Sequence, residues 1–456
     1  MKYATFTTMK SPPQSRRQFL RAAVLLAAPA IIPASVLGRD RPPPSGRITV
    51  AVVGLGSQGT TDLQAFLKEP SVQVVAACDV HDLHYRDRPW GQGATFGLEP
   101  AVKRVENHYA ADKASGKFKG CAGYADFRQL IGREDLDAVV VATPDHWHAI
   151  VSLAALRQGK DVYCEKPLTR YLAEGQAVCR EVAKQKAIFQ VGSQQRSDFK
   201  FRQAVELVRN GHLGRIKRVE VGLPQGYTQL MGDATVLPPP KGLDYETWCG
   251  PGPSLPYMRA RHHRWWRGHR GYGGGSMMDF IGHHNDIAHW AMDMDQGGPL
   301  RVEAVGWTRL KTDLYNTPVD YEIRCEYPGQ VEWLIGSKFK AGVKWVGENG
   351  WLHVTRGNIE GSDERWVASA FDRGPWKAYV SSNHAGNFVE CVKSRKECIA
   401  PPETAHRSIT PGHLGYLADG LGHAIRWDAK KEEVISDSEA QARLIAMSHR
   451  APWKLG

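Results

Sequence analysis

Scarcity sets the first bounds on this chain. Cysteine is sparse, eight residues in 456, which is too thin for a disulfide scaffold. Cys391 and Cys398 are the closest pair, seven apart, and their helical surroundings predict free thiols. Past residue 38 no apolar run approaches the ~20 residues that cross a bilayer. A polytopic membrane protein is therefore excluded. Acidic residues are the minority charge, 48 against 59 basic, leaving +11. Apolar content of 42% and charged content of 23% are ordinary for a globular chain, so disorder and fibre are excluded too. What the chain has in quantity is glycine, 46 residues, which predicts tight turns and close backbone approaches.

The excess positive charge is local. Residues 1–38 hold five basic residues and no acidic one, and residues 259–270 hold five more with no acid. The rest of the chain is nearly balanced, which argues against a nucleic-acid partner, and no nucleic-acid module is recognisable. Ser15-Arg16-Arg17-Gln18-Phe19-Leu20 precedes the modest apolar run Ala22–Leu37. This resembles a twin-arginine export signal, with a membrane anchor as the competing reading. The expectation is a signal peptide over 1–38, a stiff Pro-rich linker over 39–46, and a periplasmic mature protein of two domains. Its first partner is then the twin-arginine export machinery, which carries folded proteins, often with a cofactor inside.

Ile48–Val53 is a continuous β-branched run, the mark of a strand buried on both faces. It enters Gly54-Leu55-Gly56-Ser57-Gln58-Gly59, and a helical pattern follows. Gly54 permits the turn, Gly56 lets backbone approach a pyrophosphate, and Gly59 lets helix and strand pack closely. Ser57 and Gln58 open the helix, whose free N–H groups suit phosphate. A second strand, Val72–Cys78, ends in Asp79, twenty residues past Gly59. A carboxylate there accepts ribose hydroxyls and disfavours the extra phosphate of NADP, although Arg86 and Arg88 are near enough to receive one. The cofactor predicted is NAD, with NADP second.

Strands and helices continue to alternate, which implies a doubly wound parallel sheet. A strand over Asp137–Thr143 leads to Thr143-Pro144-Asp145-His146-Trp147-His148, and Asp161–Cys164 leads to Glu165-Lys166-Pro167. Ligands of such sheets sit outside the carboxyl ends of the strands, which places Lys166 near the cofactor. A surface ion pair between Glu165 and Lys166 is the alternative. Farther on, Gly273-Gly274-Gly275 opens a helix carrying Asp279 and His283, four apart and so on one face. A carboxylate beside an imidazole suits acid–base work. Purely structural histidines, or metal ligation by His283, His284, Asp286 and His289, are the competing readings. The spacing matches no zinc motif, so no metal is predicted.

Together these residues carry a resemblance. GLGSQG at 54–59, ATP at 142–144 with His148, EKP at 165–167, and GGG-x3-D-x3-H at 273–283 resemble the Gfo/Idh/MocA oxidoreductases, in that family's order. Trp265-Trp266 and the ending at 450–454 resemble its secreted bacterial branch. The resemblance implies a Rossmann domain over 47–167 and an α/β domain over 168–456 with a large, mostly antiparallel open sheet and C-terminal helices. It implies a sugar or cyclitol substrate between them. Lys166 would hydrogen-bond the reacting oxygen, Asp279 would orient, and His283 would move the proton. Gly54, Gly56, Ser57, Gln58, Gly59, Asp79, Thr143, Pro144, His148, Glu165 and Lys166 would hold the cofactor. A homo-oligomer, dimer or tetramer, is expected.

The segment Arg259–Arg270 reads RARHHRWWRGHR. Tryptophan faces bind sugar rings and arginine forks bind anions, so Arg264, Trp265 and Trp266, with His284, are candidate substrate contacts. Core packing is the alternative for this loop. Residues 80–98 look like an insert with no evident task. Three functions remain open at this level: an exported oxidoreductase with a tightly held NAD, a redox-neutral glycosidase working through transient oxidation and elimination, and a non-catalytic sugar-binding protein.

Overall fold

The computed structural model describes residue 42 and residues 46–85, 93–113 and 115–455. The expected export signal at 1–38, residues 39–41 and 43–45 of the linker, and Arg86 and Arg88 lie outside the described residues. The chain divides at Ile48 into two units, and the folded elements belong to the second.

Six strands form the first sheet: β1 (Ile48–Val53), β2 (Val72–Cys78), β3 (Ala122–Tyr124), β4 (Ala138–Val141), β5 (Asp161–Cys164) and β6 (Phe189–Val191). All pair in parallel in the order β3-β2-β1-β4-β5-β6. β4 is Ala-Val-Val-Val and buried throughout, as a strand covered on both faces must be. Helix α1 (Ser57–Leu67) buries Leu63, Phe66 and Leu67 against the sheet. Strand order reverses between β1 and β4, and that switch point opens the crevice for a ligand.

This sheet runs past residue 167, the boundary expected from sequence. β6 lies beyond it, and its three residues are too short to show any periodicity. Helix α4 (His384–Ser394) also returns to this side, with Phe388 edge-on to Phe66 at 6.0 Å.

The second sheet has nine strands. They are β7 (Ile216–Gly222), β8 (Arg301–Val305), β9 (Glu322–Tyr327), β10 (Val331–Gly336), β11 (Gly342–Gly347), β12 (Gly350–Thr355), β13 (Asn358–Gly361), β14 (Ile425–Asp428) and β15 (Glu433–Val434). Their order is β13-β12-β11-β7-β10-β9-β8-β14-β15. Only β7 and β10 pair in parallel; the other neighbours are antiparallel. Trp333, Trp345 and Trp427 are fully buried in its core. Helices α3 (Gly275–Ala291, after α2 at His148–Arg157) and α5 (Pro402–Leu421) pack together over the sheet. Of the expected C-terminal helices α4 and α5, the second stops at Leu421. Gly422 adopts φ +73°, which ends α5 and frees Ile425 to start β14.

Candidate active site

A cavity of about 790 Å³ opens outside the carboxyl ends of β1, β2, β4 and β5. Gly54 has φ +86°, and a Cβ there would lie 2.6 Å from the Thr143 nitrogen. A Cβ on Gly59 would lie 1.8 Å from the Gly54 carbonyl oxygen, so this glycine seats α1 and does not line the cavity. A Cβ on Gly56 would meet no protein atom; this glycine borders the cavity with Ser57 and Gln58. No side chain caps α1 at this end, so its N–H groups are available to an anion.

At the end of β2, Asp79 accepts from the Leu55 N–H at 2.6 Å and the His81 N–H at 2.9 Å. Burial pushes its carboxyl up to about 6, against the pull of those hydrogen bonds. Each oxygen keeps a lone pair for a ribose hydroxyl. His148, at the start of α2, contacts the Pro167 carbonyl at 2.7 Å and the Thr143 carbonyl at 2.9 Å, tying two strand-end loops together. Glu165 accepts from Gln194 at 2.7 Å and from Gln58 at 3.4 Å, and Gln58 also reaches Asp62 at 3.0 Å. Burial raises both of these carboxyls. The glycine turn, the uncapped helix end and Asp79 fit a dinucleotide.

Lys166 is no surface residue. Its Nζ donates to Asp279 Oδ1 at 2.6 Å and to the Asp279 carbonyl at 2.9 Å. Arg267 Nε stands 3.3 Å from the same Oδ1. Burial alone would raise the Asp279 carboxyl; Arg267 and Lys166 outweigh it and hold Asp279 below the usual carboxylate range. His283 follows one turn along α3. Burial, then Lys166 and Arg356, depress its imidazole well below the ordinary range, so it is neutral. Its Nδ1 has no hydrogen-bond partner among the described residues. One expectation is corrected here: Asp279 bonds to Lys166 rather than to His283, so the residue it orients is the lysine.

The expected substrate contacts divide. Arg264 and Trp266 line the cavity. His284 and Trp265 do not. His284 sits about 100° round α3 from His283 and bonds the Gly222 carbonyl at 2.7 Å. Trp265 packs edge-on to Tyr227 at 5.9 Å. Asp286 pairs with Arg196 at 2.7 Å, and His289 with the Tyr327 hydroxyl at 2.7 Å, so of the four residues weighed as metal ligands, His284, Asp286 and His289 have separate partners.

Other cavity residues escaped the sequence reading. Arg267 stacks on Trp266 at 4.2 Å while pairing with Asp279. Asp145 is fully buried, and neither carboxylate oxygen meets a donor in good geometry. Burial pushes it up to about 7, with Arg267 pulling the other way. It lay inside the TPDHWH segment, and the strand-end rule that found Lys166 could have found it. The same rule applies to Gln194 and Gln195 beyond β6. Arg356 reaches the cavity from the turn between β12 and β13, where nothing local signals a site.

Comparison with known proteins agrees with this geometry. The family model described as "Oxidoreductase family, NAD-binding Rossmann fold" matches residues 48–193. Its companion, the "C-terminal alpha/beta domain", matches 198–331 and 375–455. A glycosyl hydrolase family 109 protein of Solibacter usitatus is 31% identical over 132 residues, 29% of this chain and 26% of that protein. An inositol 2-dehydrogenase of Rhodococcus jostii is 37% identical over 126 residues, 27% of this chain and 34% of that protein. The matches thus span about a quarter to a third of these relatives' length. The crystal structure of an aldose-aldose oxidoreductase from Caulobacter crescentus shares the fold, with a TM-score of 0.59 at 18% identity, covering 83% of this chain and 99% of that one. The chain belongs to the Gfo/Idh/MocA oxidoreductase family, and its cofactor is NAD.

Proposed function

We propose that this protein is an exported oxidoreductase that moves a hydride between a sugar or cyclitol hydroxyl carbon and a retained NAD. The observation that carries this reading is Lys166 bonded to Asp279, with the neutral His283 lining the same cavity as the glycine turn. Bound NAD supplies hydride acceptance. The chain handles the proton and the oxygen. A lysine ammonium has three N–H donors. Two are spent on Asp279, which leaves one for the substrate oxygen. The neutral His283 takes the hydroxyl proton as the carbonyl forms. Trp266 offers a flat face for a sugar ring, and Arg264 and Arg356 on the same wall favour an anionic one.

Retention follows from the expected export, since soluble NAD is scarce outside the cytoplasm. One substrate would be oxidised and a second reduced in the same site. The test is a purified enzyme screened against sugars and cyclitols, following NADH absorbance and the nicotinamide released on denaturation. Lys166→Ala should lower kcat/KM by about 10²–10⁴-fold while NAD content stays near one per chain. A variant with undiminished turnover would remove Lys166 from the chemistry, and a wild type that turns over none of these compounds would return the protein to the sugar-binding reading.

Asp145 favours a second reading. Elimination next to a transient carbonyl needs a base for the adjacent C–H, and a carboxyl held at about 7 in this cavity suits that step. The glycosyl hydrolase family 109 relative supports it. Release of nitrophenol from a nitrophenyl glycoside with no net NADH would establish this reading over the first.

A further inference from the structure

Two segments far apart in sequence meet over one half of the cavity. His81 and His84 follow β2, and His262 and His263 belong to the basic loop. The rings of His81, His84 and His263 form one stack, and His262 stands edge-on to it. His84 and His263 lie 4.1 Å apart at 18°, and His81 and His263 5.6 Å apart at 7°. His262 stands across His263 at 3.8 Å. His263 adopts φ +46°, a left-handed conformation uncommon outside glycine, which its packing has to hold. All four line the cavity. Nδ1 of His81, Nδ1 of His84, both nitrogens of His262 and Nε2 of His263 have no hydrogen-bond partner among the described residues. His81 and His262 are only 5% and 2% exposed. Unsatisfied nitrogens buried this deeply are costly unless a ligand meets them.

Topology says which half this is. Asp79, the ribose acceptor, is two residues from His81 and accepts its backbone N–H. The stack therefore stands on the β1–β2 side of the switch point, whereas Lys166 lies at the end of β5, on the other side. Imidazole faces stack on a purine, and imidazole nitrogens match the donors and acceptors of its edge. Face-to-face rings turn their nitrogens sideways rather than toward one point. Among the described residues no group of three or more side chains is placed to hold a metal ion.

We propose that His81, His84, His262 and His263 form a latch over the adenosine half of bound NAD, which slows its escape. The latch rests on the retained-cofactor reading above and supplies its physical means. The same loop continues to Arg267 at Asp279, so one short segment lines the cavity both beside the histidines and beside Lys166.

The latch has a pH dependence. Burial depresses all four imidazoles, His84 to about 3. Arg259 adds to this at each ring, while Asp82 opposes it at His81. Tyr245 and Tyr257 pack against His262 as rings, and Asp79 meets His81 only at its backbone. A depressed histidine is neutral when closed and takes a proton more readily when open. The closed state is therefore intact above the ordinary histidine range near 6.5 and weakens as pH falls below it.

The experiment measures the dissociation rate of NADH from the full-length protein by fluorescence at pH 7.5 and pH 5. Wild type should release about 10-fold faster at pH 5. The double variant H84A/H263A should release at least 10-fold faster at both pH values, and H84F/H263F, which keeps rings but not protons, should lose most of the pH dependence. Circular dichroism establishes that each variant is folded. A folded alanine variant with the wild-type rate, or a wild-type rate indifferent to pH, would overturn the latch. A transition metal that copurifies at one per chain and is lost with H84A/H263A would overturn it too. Fast release by wild type at pH 7.5 defeats retention itself, and the ratio of rates still tests the latch.

Discussion

At the residue scale, the site is decided by which charges burial leaves without a partner. Asp279 is held ionised by Arg267 and Lys166; Asp145 is more deeply buried, meets no donor in good geometry and is pushed up to about 7. Gly273 makes room for it, since a Cβ there would stand 3.1 Å from Asp145 Oδ2. A carboxyl raised above its unfolded value binds more protons when folded. Its stability contribution is present at low pH and is lost as pH rises through the folded value, near 7. Asp145→Asn should therefore stabilise the protein at pH 8 by about 2 kcal/mol and leave it unchanged at pH 3.5. Thermal melts at the two pH values check this. Equal shifts at both would show that Asp145 is not the titrating group.

At the element scale, strand β1, the glycine turn and α1 act as one part with two separable tasks. Gly59 serves packing, with no space for a Cβ beside the Gly54 carbonyl, whereas Gly56 faces only the cavity. Gly59→Ala should lower stability by about 2 kcal/mol or more, and NAD binding should fail with it. Gly56→Ala should leave the melting temperature of the cofactor-free protein nearly unchanged and weaken NAD binding at least 10-fold, as read by calorimetry. A parallel loss of stability in Gly56→Ala would mean that this glycine too is a packing residue. These elements were legible because their signals are local. A β-branched run, three glycines and an acid at fixed offsets lie within some thirty residues. β6 and the end of α5 were not, because a three-residue strand has no period and one left-handed glycine can stop a helix anywhere.

At the scale of the whole molecule, the fold begins at Ile48, where β1 takes its place between β2 and β4. Residues 1–38, ahead of it, carry five basic residues, the arginine pair among them. A chain lacking residues 1–38 should fold and bind NAD as the full chain does but stay in the cytoplasm. Replacing Arg16 and Arg17 by lysine in the full chain should block export, with fractionation and immunoblotting as the readout. Export that survives the double replacement would point to another route or to an anchor.

The sequence by itself determined the nucleotide half, the place of Lys166 at a strand end, and the placement of Asp279 and His283 on one helix, because each depends on offsets of a few residues. Only the tertiary structure decided what Asp279 binds, that Trp265 and His284 serve packing, and that Asp145, Arg267 and Arg356 join the cavity wall. It also gave the first residues of the insert after β2 a place, by stacking His81 and His84 on a histidine more than a hundred residues away. The reason is physical. Periodicity and spacing encode contacts within a turn or a strand. Which way a buried charge points depends on partners from other elements, here Arg267 from a loop and Arg356 from a hairpin turn, and on the burial that makes those partners necessary.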